Sequence, residues 1–281
     1  MGKLSATELS AYLNRIGYTG DATPSKETLN TLIYLHQCAV PFETLDSHDF
    51  HIEADLNQDA LFDKIVTRRR GGYCLELNGL FYILLRTIGF DVRPCMCRVL
   101  LGTDEFTHPV DHRTNLVTLN GRTFFCDVGL GGPMPPAALD IMTDDWQEMR
   151  GEFFRVEKDV PGWYAVSRKT AADIYQDNIP DETSDRENLP ENKRHHSRIE
   201  VLFSDVTCYE TDFLFLNHYM STHPDALHVT HRILNRRTPN GYRAIMDDVY
   251  KESADGKITV CSVTDCLEKI LAEKFDIHVS L

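Results

Sequence analysis

The segment Arg70-Gly71-Gly72-Tyr73-Cys74-Leu75-Glu76-Leu77-Asn78 puts a thiol where it could do chemistry. Two glycines permit a tight turn, and the mostly apolar run 75–88 that follows ends at Gly89, a common helix stop. Cys74 then falls in the first turn of a helix, among backbone N–H groups without helical partners and at the positive end of the peptide dipoles. Both features favour thiolate over thiol, and the same N–H groups can hold an oxyanion. Most free cysteines are only small buried hydrophobes. The Gly-Gly turn in front of this one points instead to a nucleophile.

A nucleophilic thiol needs a base, and the next hundred residues supply one. Asn120-Gly121 separates two alternating runs, 114–119 and 123–128, and is a strong two-residue hairpin signal. With that pair at the turn, Leu119 faces Arg122, and counting outward sets His112 opposite Gly129. Asp127, two residues earlier, shares a face with His112 as its diagonal neighbour, roughly 7–8 Å away at the backbone. A slip of one residue would put them on opposite faces. A His–Asp pair alone is more often a structural hydrogen bond. With Cys74 it completes a nucleophilic triad: His112 takes the thiol proton, and Asp127 orients the imidazole and stabilises its cation.

These groups need a scaffold, and the hydrophobic periods describe one. Helical spacing predicts helices over 7–16, capped by Ser5 or Thr7, and from Ser25 until Pro41 stops the run. A third helix is expected over 59–69 and a fourth, buried on most sides, over 75–88. Short alternating runs follow at 92–101, 114–119, 123–128, 153–156 and 163–167, as in a small barrel or sandwich. Residues 181–198 are polar and charged, a loop-like connector. The remainder mixes strands over 242–246 and 257–263 with helices over 211–219 and 264–275.

Composition narrows the function. A chain of 281 residues, 42% apolar, is neither a disordered tail nor a membrane protein, and no apolar run spans a bilayer. A formal net charge of -14 disfavours nucleic acid or an anionic membrane surface as the main partner. The first residues lack the basic-then-apolar pattern of a secretory signal. The eight cysteines lack framework spacing, so the expectation is a cytoplasmic protein with reduced thiols. Cys95-Met-Cys97 has no second pair or His ladder beside it and reads as a buried strand, so no metal is expected.

In these motifs the chain resembles the arylamine N-acetyltransferases over most of its length. The family's nucleophile motif, Arg-Gly-Gly-X-Cys-X-Glu, stands as Arg70 to Glu76. An upstream motif stands as Val40-Pro41-Phe42-Glu43-Thr44-Leu45-Asp46, with Thr44 where Asn is usual. The histidine strand is His112-Arg113-Thr114-Asn115-Leu116-Val117. The aspartate strand is Asp127-Val128-Gly129-Leu130-Gly131-Gly132-Pro133, with Leu130 for the usual Phe. The stretch from Asn217 to Pro224 resembles the family's Ser-Thr-His-Pro segment.

The resemblance implies an α+β fold in three parts: a helical bundle over 1–91 carrying Cys74, a β-barrel over 92–198 carrying His112 and Asp127, and an α/β lid over 199–281. It also implies a ping-pong reaction in which acetyl-CoA, a co-substrate rather than a permanently bound cofactor, acetylates Cys74. An aromatic amine, hydrazine or hydroxylamine then takes the acetyl group. By the same likeness Phe42 and Tyr73 line the acceptor pocket or simply pack. Glu43 and Arg70 form a supporting pair or find other partners, and Gly129, Gly131 and Gly132 make a cofactor-cleft loop or only a turn. His228 stands where the family often has Phe. It could meet a phosphate or alter acceptor choice, although a surface histidine is the simpler reading. Two other readings use the same parts: a transglutaminase- or papain-like cysteine hydrolase, and an amide synthase within the family. A binding module without chemistry has no need of all three triad residue types. Oligomeric state and natural acceptor are not legible in the sequence.

Overall fold

The structure is a computed structural model that describes residues 2–101, 108–160, 162–169 and 197–281. Helix α1 (Ala6–Arg15) begins at Ser5, whose hydroxyl accepts from the Glu8 N–H while Glu8 reaches back to the Ser5 N–H. Helix α2 (Lys26–Ala39) is capped by Ser25. After the two-residue strand β1 (Phe42–Glu43) and helix α3 (Leu45–His48) comes α4 (Gln58–Phe62). The regular helix expected over 59–69 is not continuous, because α4 widens into a π-helical turn at Asp63–Thr67. Helix α5 (Cys74–Ile88) lies at the centre of this part and stops at Gly89 in the left-handed region. Leu77, Leu80, Phe81 and Leu84 of α5 are fully buried against Tyr12, Leu29, Leu32 and Ile33 in one large apolar cluster.

The second part is an eight-stranded antiparallel sheet. It contains β2 (Asp91–Val99), β3 (His112–Leu119), β4 (Arg122–Cys126), β5 (Leu139–Asp140), β6 (Gln147–Met149), β7 (Glu152–Val160), β8 (Trp163–Lys169) and β9 (Ser197–Phe203). Their order is β5-β4-β3-β2-β9-β8-β7-β6. The two end strands are bridged by Gln147, whose side chain accepts from the Asp140 N–H at 2.9 Å and donates to the Asp140 carbonyl at 2.8 Å. That bridge nearly closes a barrel and covers edges that would otherwise expose backbone groups. Phe125, Leu139, Phe154, Val166 and Phe203 fill it.

The third part holds α6 (Phe213–Thr222), preceded by a 3-10 turn at Glu210–Asp212, and the short helix α7 (Leu227–Thr230). The hairpin strands β10 (Ile233–Thr238), β11 (Gly241–Met246), β12 (Val249–Ala254) and β13 (Lys257–Ser262) follow. The chain finishes with α8 (Leu267–Ile270), which widens into a π-helical turn at Leu271–Phe275. The last helix therefore starts later than position 264, and β10 and β12 join the two strands read from the sequence.

The boundary expected between residues 198 and 199 cuts through β9, which pairs with β2 and β8 inside the barrel sheet. The three parts also exchange elements. β1 adds to β10 as the end strand of the C-terminal sheet, and the Thr44 hydroxyl accepts from the Ile233 N–H while donating to the His231 carbonyl. Phe213 and Met220 of α6 pack into the α5 cluster rather than onto their own sheet. Arg113, beside His112, is fully buried between Tyr82 and Phe213 and forks onto Glu210 at 2.6 and 2.7 Å. The polar connector lies, through residue 196, outside the described residues.

Candidate active site

Cys74 is the first residue of α5 and is 3% exposed. The turn leading to it is pressed against the 40–43 segment. Gly72 bridges to Phe42, and the Glu43 N–H donates to the Gly72 carbonyl at 2.9 Å. A Cβ on Gly71 would sit 2.0 Å from the Pro41 carbonyl oxygen, so only glycine fits there. Charge holds the same turn from the other side. Arg70 donates to Glu43 Oε1 at 2.7 and 2.9 Å and to Asp46 Oδ1 at 2.7 Å. Lys64 bridges Asp46 and Glu76, each at 2.7 Å, and the second Glu76 oxygen accepts from the Tyr73 N–H at 3.0 Å.

Burial alone would lower the Lys64 and Arg70 pKa values, but the carboxylates around them raise both above their ordinary ranges. At Asp46 the two cations outweigh burial and lower the pKa, whereas at Glu76 burial wins over Lys64 and raises it. The network joins three carboxylates to two cations and fixes the approach to α5.

The hairpin register is the one counted from its turn. Leu119 pairs with Arg122, and the ladder runs to Asn115 opposite Cys126. Asn120 and Gly121 have φ of 52° and 75°, as a type I′ turn requires. The extrapolated pairing of His112 with Gly129 does not form. β4 ends at Cys126, and His112 pairs with Cys97 of β2 instead. Asp127 nevertheless reaches His112, with Oδ2 2.6 Å from Nε2.

The Cys74 thiol lies beside the His112 ring and adds to the rise in its pKa, while the thiol itself donates to the Asp111 carbonyl at 3.8 Å. Burial would lower the His112 pKa, but the Asp127 charge and hydrogen bond, with Cys74 adding to them, lift it well above 6.5. For Asp127 the opposing effect of burial is overcome by His112, Asn78 and the Gly129 N–H, and its pKa is lowered. A buried imidazole bonded to a carboxylate and set beside a thiol can hold a proton or return it there.

Phe42 and Tyr73 are both buried, at the side of the α5 start. His228 of α7 is not on the open surface: its half-buried ring lies 5.3 Å from that of Tyr73 and 6.0 Å from that of Phe42. Burial and the His112 charge hold its pKa down to about 4, so it is neutral at pH 7. A Cβ on Gly129 would lie 3.2 Å from Cys74 Cα, and one on Gly131 2.8 Å from the Phe42 ring. Among the described residues, a Cβ on Gly132 would meet only Leu101, at 3.6 Å, and not the thiol.

Several residues at the site escape a reading by motif. Asn78 donates to Asp127 Oδ1 at 3.0 Å and to the Arg113 carbonyl at 2.6 Å, and it accepts from the Val128 N–H at 3.0 Å. Its place four residues after Cys74 puts it on the same helix face, a signal that was available. Asn217 and Ser221 of α6 hydrogen-bond the Tyr73 hydroxyl, and no sequence pattern links them to position 73. Among the described residues, no group of three or more His, Cys, Asp or Glu is placed to hold a metal, and no helix is long and apolar enough to cross a membrane.

The family model described as N-acetyltransferase matches residues 25–281. A curated relative, the arylamine N-acetyltransferase of Mycobacterium tuberculosis, is 33% identical over 231 residues, which is 80% of this chain and 72% of that protein. The solved arylamine N-acetyltransferase of Salmonella typhimurium superposes with a TM-score of 0.84 at 26% identity, covering 99% of this chain and 94% of that one. The Mycobacterium marinum enzyme solved in complex with CoA gives 0.81 at 28% identity, covering 96% and 92%. With a buried thiol, imidazole and carboxylate at its centre, the chain belongs to the arylamine N-acetyltransferase family of acyltransferases.

Proposed function

We propose that this protein transfers acetyl groups from acetyl-CoA to aromatic amines, hydrazines or hydroxylamines through an acetyl-Cys74 thioester. The observation that carries this reading is the buried His112 ring bonded to Asp127 at 2.6 Å and lying beside the Cys74 thiol at the start of α5. The thiolate attacks the thioester carbonyl, and the positive end of α5 favours the developing oxyanion. The imidazolium returns its proton to the departing CoA sulfur, leaving neutral imidazole and acetyl-Cys74. An amine then attacks the new thioester, His112 takes the amine proton, and the Cys74 thiolate leaves.

Aromatic amines and hydrazines suit this second step because their lone pairs are free at neutral pH, unlike those of alkyl amines. Gly129 and Gly131 let the loop after Asp127 close onto Cys74 and Phe42, where a Cβ would come within 3.2 and 2.8 Å. The test is incubation with acetyl-CoA followed by mass spectrometry of the Cys74 peptide. A gain of roughly 42 mass units is expected, as for one acetyl on sulfur, with none in Cys74→Ala. Anilines or hydrazines should discharge the label as their acetyl derivatives. An unlabelled Cys74, or discharge only to acetate, would reject the transferase reading.

A further inference from the structure

The Asp127 carboxylate is anchored by Asn78 and by the Gly129 N–H, but its backbone lies just beyond the barrel ladder, which ends at Cys126. A residue past the end of a strand leaves its carbonyl without a ladder partner, and a buried one must find another. Gln37 of α2 provides it. This side chain is 2% exposed, and its amide nitrogen donates to the Asp127 carbonyl and to the Pro135 carbonyl, both at 2.9 Å. A single NH₂ thus pinches together the two ends of the loop that carries Gly129, Leu130 and Gly131. The Gln37 oxygen is not idle. It accepts from Arg237 Nε at 2.8 Å, while another arm of the same guanidinium reaches the Met134 carbonyl at 2.8 Å. Arg237 stands on β10 and is balanced by Glu152 at the start of β7. Helix, barrel loop and C-terminal sheet therefore meet in one buried amide.

We infer that Gln37 is the positioning residue that sets the backbone of Asp127, and that Arg237 ties this setting to the C-terminal sheet. The inference rests on Asp127 being the group that orients His112. A leucine or methionine would fill this buried helical position equally well as packing, whereas only a primary amide presents two donors and an acceptor here. Arg237 fixes which way that amide faces, since a guanidinium can only donate.

The experiment compares the pH dependence of Cys74 alkylation by iodoacetamide in the wild-type protein, Gln37→Met, Arg237→Lys and Asp127→Asn, with melting curves alongside. Gln37→Met should move the alkylation midpoint upward and cut the rate at pH 7 about tenfold, equivalent to one pKa unit. It should lower the acetyl-transfer kcat with little change in the KM for an aniline. Arg237→Lys, which keeps the charge but loses the fork, should shift the midpoint in the same direction by less. A merely structural role would lower the melting temperature and the active fraction but leave the midpoint in place. An unmoved midpoint in folded Gln37→Met, beside a moved one in Asp127→Asn, overturns the inference and spares the triad. Should Gln37→Met fail to fold, an unmoved midpoint in Arg237→Lys overturns it equally. An unmoved midpoint in Asp127→Asn removes the triad reading and this inference together.

Discussion

At the scale of single residues, the site depends on one proton being kept on His112. The Asp127 oxygen at 2.6 Å gives the imidazolium a charge partner inside a buried space, where an uncompensated cation would be costly. Asp127→Asn keeps the shape and removes the charge. The expected outcome is a fall of at least about tenfold in Cys74 alkylation at pH 7, since each pKa unit is a factor of ten. Acetyl-enzyme formation should fall with it in a stopped-flow acetyl-CoA assay. His112→Ala should abolish the low-pH arm of the alkylation profile altogether, and a profile identical to the wild type would count against the pairing. The three chemical residues were legible because their types are rare in combination and one turn sets the hairpin register. Gln37 was not legible, because an amide on a helix far from the motif advertises nothing until its partners are in place, whereas Asn78 shares a helix face with Cys74.

At the scale of elements, the turn before α5 is the most tightly specified feature. A methyl group at position 71 would collide with the Pro41 carbonyl at 2.0 Å and the Glu43 Cγ at 2.8 Å. Neither a backbone oxygen nor a side chain tied to Arg70 can move aside cheaply. Gly71→Ala should therefore cost at least about 3 kcal/mol, at the upper end of overpacking effects, read as a lower urea midpoint with loss of Cys74 reactivity. The helix starts and stops were legible from caps: Ser5 with Glu8, Ser25, and Gly89 all act locally. The two π-helical turns and the short strands β1, β5 and β6 were not, because they answer to neighbours distant in sequence. β5 and β6 are brief and are locked by Gln147 reaching Asp140, a contact that local propensity does not encode.

At the scale of the whole molecule, histidines shifted on folding contribute to the dependence of stability on pH. His36 lies between the rings of Tyr12 and Phe81, and among the described residues neither of its nitrogens has a hydrogen-bond partner. Burial, with a smaller push from Arg15, lowers its pKa to about 3, and His228 is lowered to about 4. A histidine depressed on folding binds more protons unfolded, so its stabilisation is full above about pH 6.5 and is lost as pH falls toward the folded value. His112 is raised, so its contribution is full below about pH 6.5 and is lost as pH rises through its folded value. Melting temperature should accordingly decline on both sides of neutrality. His36→Leu removes two unpaired polar atoms from the α1–α2–α5 contact. It should stabilise the protein by about 1–2 kcal/mol and flatten the acid arm in a melting series from pH 7 to 4. An unchanged acid slope would place the acid sensitivity elsewhere.

The sequence by itself determined which thiol, imidazole and carboxylate come together, the helical beginning and stranded middle, and the hairpin that joins them. Each of these follows from spacing along a few neighbouring residues, where helix period, strand period and turn chemistry act locally. Only the tertiary structure decided how the parts interlock: β9 inside the barrel, β1 on the C-terminal sheet, α6 on the α5 core, and His228 turned in against Tyr73 and Phe42. It also decided that Arg70 and four other charged side chains would share one network and that Gln37 would bridge three elements. Those arrangements are set by the mutual fit of surfaces and by buried polar groups finding partners far away along the chain, and neither leaves a periodic trace in the residues that take part.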